Sequence, residues 1–192
     1  LLARLGHVRA YMGFGVLAAF SPLAVLISVD PATWSVSRFV FGFGLAGIFV
    51  VVESWLNAKS DNIVRGRVFA VYIFVQLAGL MIAQSFVPLL ASNLTLSMAV
   101  VAGFGVLAMA PLMIGKIAPP ERTPFLRASF RALASASPVG VVGATVSGFV
   151  WAVVMAMAPI YAQRAGFEPD GVALVVMALV LGGIALQLPI GW

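Results

Sequence analysis

From Val68 to Gly115 the chain reads VFAVYIFVQLAGLMIAQSFVPLLASNLTLSMAVVAGFGVLAMAPLMIG, without one charged side chain. A helix crossing roughly 30 Å of hydrocarbon takes about 20 apolar residues. This stretch is too long for one crossing and long enough for two. It breaks naturally at Pro88-Leu89-Leu90-Ala91-Ser92-Asn93, which predicts spans at about 67–88 and 94–115. Strand-like alternation is missing over these lengths, so a membrane β-barrel is disfavoured.

Working outward, four more segments have the same character. Residues 10–29 carry no charge; Pro22 predicts a kink within them, and Asp30-Pro31 predicts their end. The next span runs from about Ala32 or Trp34 to about Trp55 and encloses Arg38 and Glu53. On the far side, spans are expected at about Pro138 to Tyr161 and about Gly171 to Pro189. The expected fold is therefore an all-α integral membrane bundle of about six transmembrane helices.

Composition agrees. Of 192 residues, 62% are hydrophobic and 9% charged, against roughly a quarter charged in an ordinary soluble domain. So few ionic groups cannot cover a soluble protein of this size, and lipid is the solvent that suits the excess apolar surface. The glycines and prolines do not oppose helices here, because membrane spans tolerate both better than soluble helices do. With no cysteine, the chain has no disulfide scaffold, no cysteine-ligated zinc, no iron–sulfur cluster and no thiol catalysis. The formal charge of +5 is spread thinly between apolar runs with no basic stripe, so nucleic-acid binding is not expected. One histidine and scattered acids give no metal-site spacing, and no phosphate-binding G-x-x-x-x-G-K-[ST] loop occurs. Neither a cofactor nor ATP-driven pumping within this chain is expected. The chain opens Leu1-Leu2-Ala3-Arg4 with no Met, and its first apolar run lacks a small-residue cleavage site. A secretory signal is not expected there, and the natural start is expected upstream.

Cations are kept to one side. If residues 1–9 are cytoplasmic, so are 57–67 and 116–137, and these hold Arg4, Arg9, Lys59, Arg65, Arg67, Lys116, Arg122, Arg127 and Arg131. The other side holds Arg164 beside Asp30, Glu168 and Asp170. The positive-inside rule then puts both ends of the chain in the cytoplasm. Residues 116–137 form the one credible linker, with Pro119, Pro120 and Pro124 before the basic run Arg127-Ala128-Ser129-Phe130-Arg131. That run suits either a short amphipathic helix on the membrane or a solvated connector.

Three short motifs now coincide. Arg4-Leu5-Gly6-His7-Val8-Arg9 lies in a turn between spans. Arg38-Phe39-Val40-Phe41-Gly42-Phe43-Gly44 begins in the outer part of a span that Glu53-Ser54-Trp55-Leu56-Asn57 closes, and Arg65-Gly66-Arg67 opens the next. Together they resemble the major facilitator superfamily of secondary transporters, particularly its bacterial YcaD-like branch, over essentially the whole chain. The resemblance implies that these are helices three to eight of twelve, with two spans before Leu1 and four after Trp192. It implies three parts: 1–115, the last four helices of one half; 116–137, a cytoplasmic central linker; and 138–192, the first two helices of the other half.

Within that resemblance, Arg4 and Gly6 match the Arg and second Gly of the signature loop G-x-L-x-D-R-x-G-R. Ala3 stands where the family usually has Asp and His7 where it usually has Arg, which leaves Arg9 to supply the displaced cation. Leu188-Pro189-Ile190-Gly191 looks like the start of the loop's second copy, as expected of a transporter built from repeats. Arg38 matches the Arg of the family's R-x-x-x-G motif, which implies a place on the central cavity and a link to proton coupling. With its span centred near Phe43, it lies about five residues, or roughly 7–8 Å, from the midplane. An unpaired cation at the membrane centre costs at least about 2.5 kcal/mol, so Arg38 is expected to face a wet cavity or a partner, or else to snorkel outward.

The remaining candidates are weaker signals. Glu53 is placed to pair with Arg4, Arg9 or His7 in an inner gate, or to serve as a plain interfacial carboxylate. Arg65 and Arg67 are positive-inside anchors first and gating residues second. Tyr72 and Gln76 lie one helical turn apart on one face. The resemblance puts Thr145, Ser147 and Trp151 on the cavity, while Gly140, Gly143, Ala144 and Gly148 suit close helix packing. For isolated Gln, Ser and Thr side chains, interhelical hydrogen bonding is the ordinary use.

The function this implies is secondary active transport of a small solute by alternating access, coupled to protons, in a bacterial inner membrane. A sensor or scaffold that kept the fold is the alternative. An intramembrane protease or acyltransferase needs a nucleophile–base pair or a metal cluster, for which the spans offer little.

Overall fold

The computed structural model describes residues 6–115 and 129–190. Among these there are eight α-helices and no strand. They are α1 (His7–Phe20), continued by a 3-10 helix (Ser21–Leu26), α2 (Pro31–Lys59), α3 (Arg65–Gln84), the short α4 (Val87–Leu90), α5 (Leu94–Ile114), the short α6 (Phe130–Ala136), α7 (Pro138–Arg164) and α8 (Pro169–Ile190). Six segments are long and apolar enough to cross a membrane: His7–Leu26, Pro31–Lys59, Arg65–Gln84, Leu94–Ile114, Pro138–Arg164 and Pro169–Gln187. Among the described residues the fold is thus helical without strands, and the six apolar segments match the six spans expected.

Local chemistry sets the ends. Asp30 caps α2 by accepting from the backbone amides of Ala32 and Thr33 at 2.9 and 3.0 Å, and Pro31 at the first helical position gives up no needed donor. Asn93 caps α5 in the same way through Leu96 N at 2.9 Å. Pro22 does not simply bend α1. The chain beyond Phe20 tightens into a 3-10 turn in which the proline's missing N–H falls at the second position. α2 runs on to Lys59, past the expected end at Trp55, and Ser60 Oγ then bonds the Leu56 carbonyl at 2.6 Å.

The chain divides into two compact units, Leu1–Phe69 with Leu90–Thr123, and Ala70–Leu89 with Pro124–Trp192. In the first, α1 packs on both α2 and α5. The buried positions of α1 are Ala10, Gly15, Ala18 and Ala19. These small residues let backbones approach: a β-carbon on Gly44 of α2 would collide with the Ala18 and Phe14 backbone, and one on Gly105 of α5 with Ala19. Such close approach is how membrane helices gain packing energy where lipid removes the hydrophobic incentive. Phe14 also meets Phe43 edge-on, with ring centroids 5.8 Å apart.

In the second unit α8 buries Val172, Ala173, Val176 and Val180, spaced three and four apart on one face. It packs on α7, and Leu77 of α3 lies at Gly183. The large apolar side chains outside these seams are exposed, Phe39 at 75% and Phe149 at 70%. A helix hydrophobic all round suits a membrane span.

Candidate functional site

Two clusters within the first unit gather the sequence candidates, one at each end of α2. At the end near residue 54, His7 Nε2 lies 3.2 Å from Ser54 Oγ, within hydrogen-bond distance. The His7 ring meets the Trp55 indole edge-on, with centroids 5.7 Å apart and planes at 64°. The first residue of α1 is thereby fastened to the last turns of α2. Gly6 immediately precedes it with φ 77° and ψ 161°, a conformation essentially reserved for glycine. The signature-loop glycine therefore has a backbone reason to be glycine.

Glu53 is exposed beside this contact, and no ion pair joins it to His7 or Arg9 among the described residues; His7 instead uses the two residues that follow it. Arg9 is exposed, while Arg4 lies outside the described residues, as do most of the 116–137 segment and Gly191. Arg65 donates from Nη2 to the Ser60 carbonyl at 3.4 Å, just before the turn that the Val64 amide closes onto the Asp61 carbonyl. Arg67 is exposed at the start of α3.

At the other end of α2, Arg38, an exposed residue, lines a cavity of about 160 Å³. α2 supplies Trp34, Ser37, Arg38 and Phe41 to its lining. The 3-10 turn adds Pro22 and Val25, and α5 adds Met98 and Val101. The Arg38 guanidinium carbon stands 5.5 Å from the centre of the Trp34 ring, a cation–π contact made possible by the four-residue spacing on one helix face. No hydrogen bond or ion pair joins Arg38 to a described residue, whereas the buried Ser37 hydroxyl is committed to the Ser21 carbonyl at 2.8 Å. The middle of α2 as a whole, taken to Lys59, falls at Leu45, and Arg38 lies about 10 Å along the axis from it.

The second unit holds the other candidates. Gln76 donates from Nε2 to the Tyr72 hydroxyl at 3.1 Å, so the pair sharing a face is also bonded. Thr145 turns its hydroxyl back onto the Val141 carbonyl at 2.8 Å. Ser147 and Trp151, one turn apart, share a face of α7, and both are exposed. Thr145 precedes Ser147 by two residues and lies nearly opposite it, so one helix face cannot present all three.

Sequence reasoning missed Trp34, Ser37 and the 3-10 turn as parts of the Arg38 site. The spacing of Trp34 and Arg38 carried the signal for the first. Nothing in the sequence announced the Ser37 to Ser21 bond. Among the described residues no group of three or more His, Cys, Asp and Glu side chains is placed to hold a metal ion.

The chain is similar along its whole length to known proteins. It is 30% identical over 199 residues to an uncharacterized MFS-type transporter of Enterobacter sp. (strain 638), matched along 100% of this chain and 50% of that protein. It is 28% identical over 193 residues to uncharacterized MFS-type transporters named YcaD from Salmonella arizonae and Escherichia fergusonii, again along 100% of this chain and 50% of theirs. The chain spans about half the length of the curated relatives it matches. No family model matches it. No solved structure matches it. The relatives are transporters of the superfamily that the three motifs resemble, and the similarity covers the whole chain.

Proposed function

We propose, from its kinship with the MFS-type transporters as premise, that this chain forms part of a secondary active transporter that moves a small solute by alternating access. The whole protein carries two six-helix halves; residues 1–115 give four helices of one, 138–192 give two of the other, and 116–137 link them on the cytoplasmic side. The protein resides in a bacterial inner membrane with both ends of this chain in the cytoplasm, an orientation that the one-sided cations support. The observation that carries the reading is Arg38, a cation inside an apolar span that faces a cavity and has no acidic partner among the described residues.

In this role Arg38 takes part in proton coupling, with Tyr72, Gln76, Thr145, Ser147 and Trp151 as further substrate or coupling candidates. Arg4, Gly6, His7, Arg9, Glu53, Arg65 and Arg67 stabilise one closed state at the inner end. The fastening of His7 to Ser54 and Trp55 supports such a latch, because a rocking motion needs two packings that differ by only a few kcal/mol. The test is the full-length protein in proteoliposomes holding a pH-sensitive dye. Solutes that are carried evoke proton movement in the wild type, and Arg38→Ala abolishes it. Proton movement that survives in Arg38→Ala removes the coupling role.

A further inference from the structure

We propose that the Arg38 cavity binds a small organic monoanion with an apolar body, a short aliphatic carboxylate being the simplest member of the class. The inference deepens the transport reading and rests on it only for the claim that the bound anion is cargo. Its basis is the division of labour among the lining groups. Arg38 contributes the one formal charge, and no lining residue is acidic. The Ser37 hydroxyl is spent on the Ser21 carbonyl. Trp34 meets the guanidinium through a cation–π contact, its ring centre 5.5 Å from the guanidinium carbon. That contact forms no hydrogen bond, so the guanidinium N–H groups keep the fork that matches a carboxylate.

The rest of the wall is apolar: Val25 from the 3-10 turn, Phe41 from α2 and Met98 from α5. A bare inorganic anion would leave this surface against water, and a polyanion would bring charge that a single guanidinium cannot match. A cation would meet Arg38 with no acid to receive it. The cavity of about 160 Å³ is large enough to hold several waters, and so a carboxylate with a short carbon chain. An anionic lipid headgroup shares the charge, and the experiment separates it from a free acid.

The probe is butanoate, with butanamide as the neutral isostere, butylammonium as the cation, and chloride holding ionic strength constant. Full-length protein in neutral detergent is followed by thermal unfolding. Butanoate at tens of millimolar is expected to raise the midpoint by several degrees, while butanamide, butylammonium and chloride leave it unchanged. Arg38→Gln should erase the shift. Should that variant fail to fold, the wild type serves alone: butanoate should slow modification of Arg38 by phenylglyoxal at least threefold, read by mass spectrometry. Equal stabilisation by butanamide overturns the proposal. So does protection of Arg38 by dihexanoyl phosphatidylglycerol with none from butanoate, which would assign the site to lipid. Counterflow of labelled butanoate in proteoliposomes keeps the two readings apart. Protection without counterflow upholds the anion site, while the claim that the bound anion is cargo fails. Solute-evoked proton movement without protection or stabilisation overturns the anion site and leaves transport standing.

Discussion

Gly44 lies so close to Ala18 that a β-carbon on it would stand 2.8 Å from the Ala18 backbone nitrogen and 2.9 Å from the Phe14 carbonyl oxygen. Both obstacles are main chain, which cannot rotate away as a side chain can. The seam between α1 and α2 therefore depends on this position being bare. Gly42, two residues earlier, has no atom within 4 Å of the same construction.

Gly44→Ala is accordingly expected to lower stability by about 1–3 kcal/mol, the usual range for forcing a methyl group into a packed seam. Gly42→Ala should be neutral or mildly stabilising, since Ala is the better helix former. The measurement is thermal unfolding of each variant in the same detergent. Equal midpoints for the two would show that α1 and α2 do not meet as described.

At Gly6 the obstacle is conformation, not space. Its φ of 77° lies in the left-handed half of the map, and no atom stands within 4 Å of an added β-carbon. Gly6→Ala should cost about 1–3 kcal/mol through backbone strain alone. Gly6→Asn should cost less than Gly6→Ala if the strain can be relieved by a shift toward the left-handed helical region, where Asn is tolerated. Unfolding midpoints in that order are the check, and an unperturbed Gly6→Ala would count against the turn.

How much of this could be read beforehand depends on what each feature is made of. The spans could be read because each is a run without charge, as Val68 to Gly115 is, and lipid permits little else. Their ends were less legible: α2 continues to Lys59 because exposed polar residues such as Asn57 and Lys59 keep the backbone ladder beyond the apolar stretch. Pro22 announced a break but not that the break would be a 3-10 turn lining a cavity. The Arg38 site was half visible, because one-dimensional spacing put Trp34 on its face while the contributions of Val25 and Met98 depend on tertiary packing. The grouping of Thr145 with Ser147 and Trp151 came from resemblance, and helix periodicity alone divides it.

Asp30 offers a prediction in pH. Its carboxylate accepts from the Thr33 hydroxyl and amide, the Ser28 hydroxyl and the Ala32 amide, and these bonds hold its carboxyl well below the usual carboxylate range, the Thr33 hydroxyl most of all. A group with a depressed folded pKa stabilises fully above its unfolded value, near 4, and loses that contribution as pH falls toward the folded value. The wild type should therefore keep a constant margin over Asp30→Asn from about pH 7 to about pH 5, and the margin should narrow below about pH 4. Taking the difference between the two proteins removes the titration of every other group. A margin that widens on acidification would reverse the sign and discard the cap.

The fastening of His7 to Ser54 can be weighed without moving the aromatic contact. His7→Phe keeps a ring against Trp55 and loses the partner of Ser54 Oγ, while Ser54→Ala loses the hydroxyl and keeps the ring. If the 3.2 Å contact is a working bond, each single change should destabilise, and the double change should cost less than the two together. The coupling expected of a half-buried side-chain hydrogen bond is about 0.5–1.5 kcal/mol. A second readout separates a latch from mere stability. If the bond exists in one closed state only, its loss shifts the population toward the other state, and protease access near Asp61 should change in the single variants at temperatures far below unfolding. Additive free energies together with unchanged access would leave His7 as an ordinary surface contact with no part in gating.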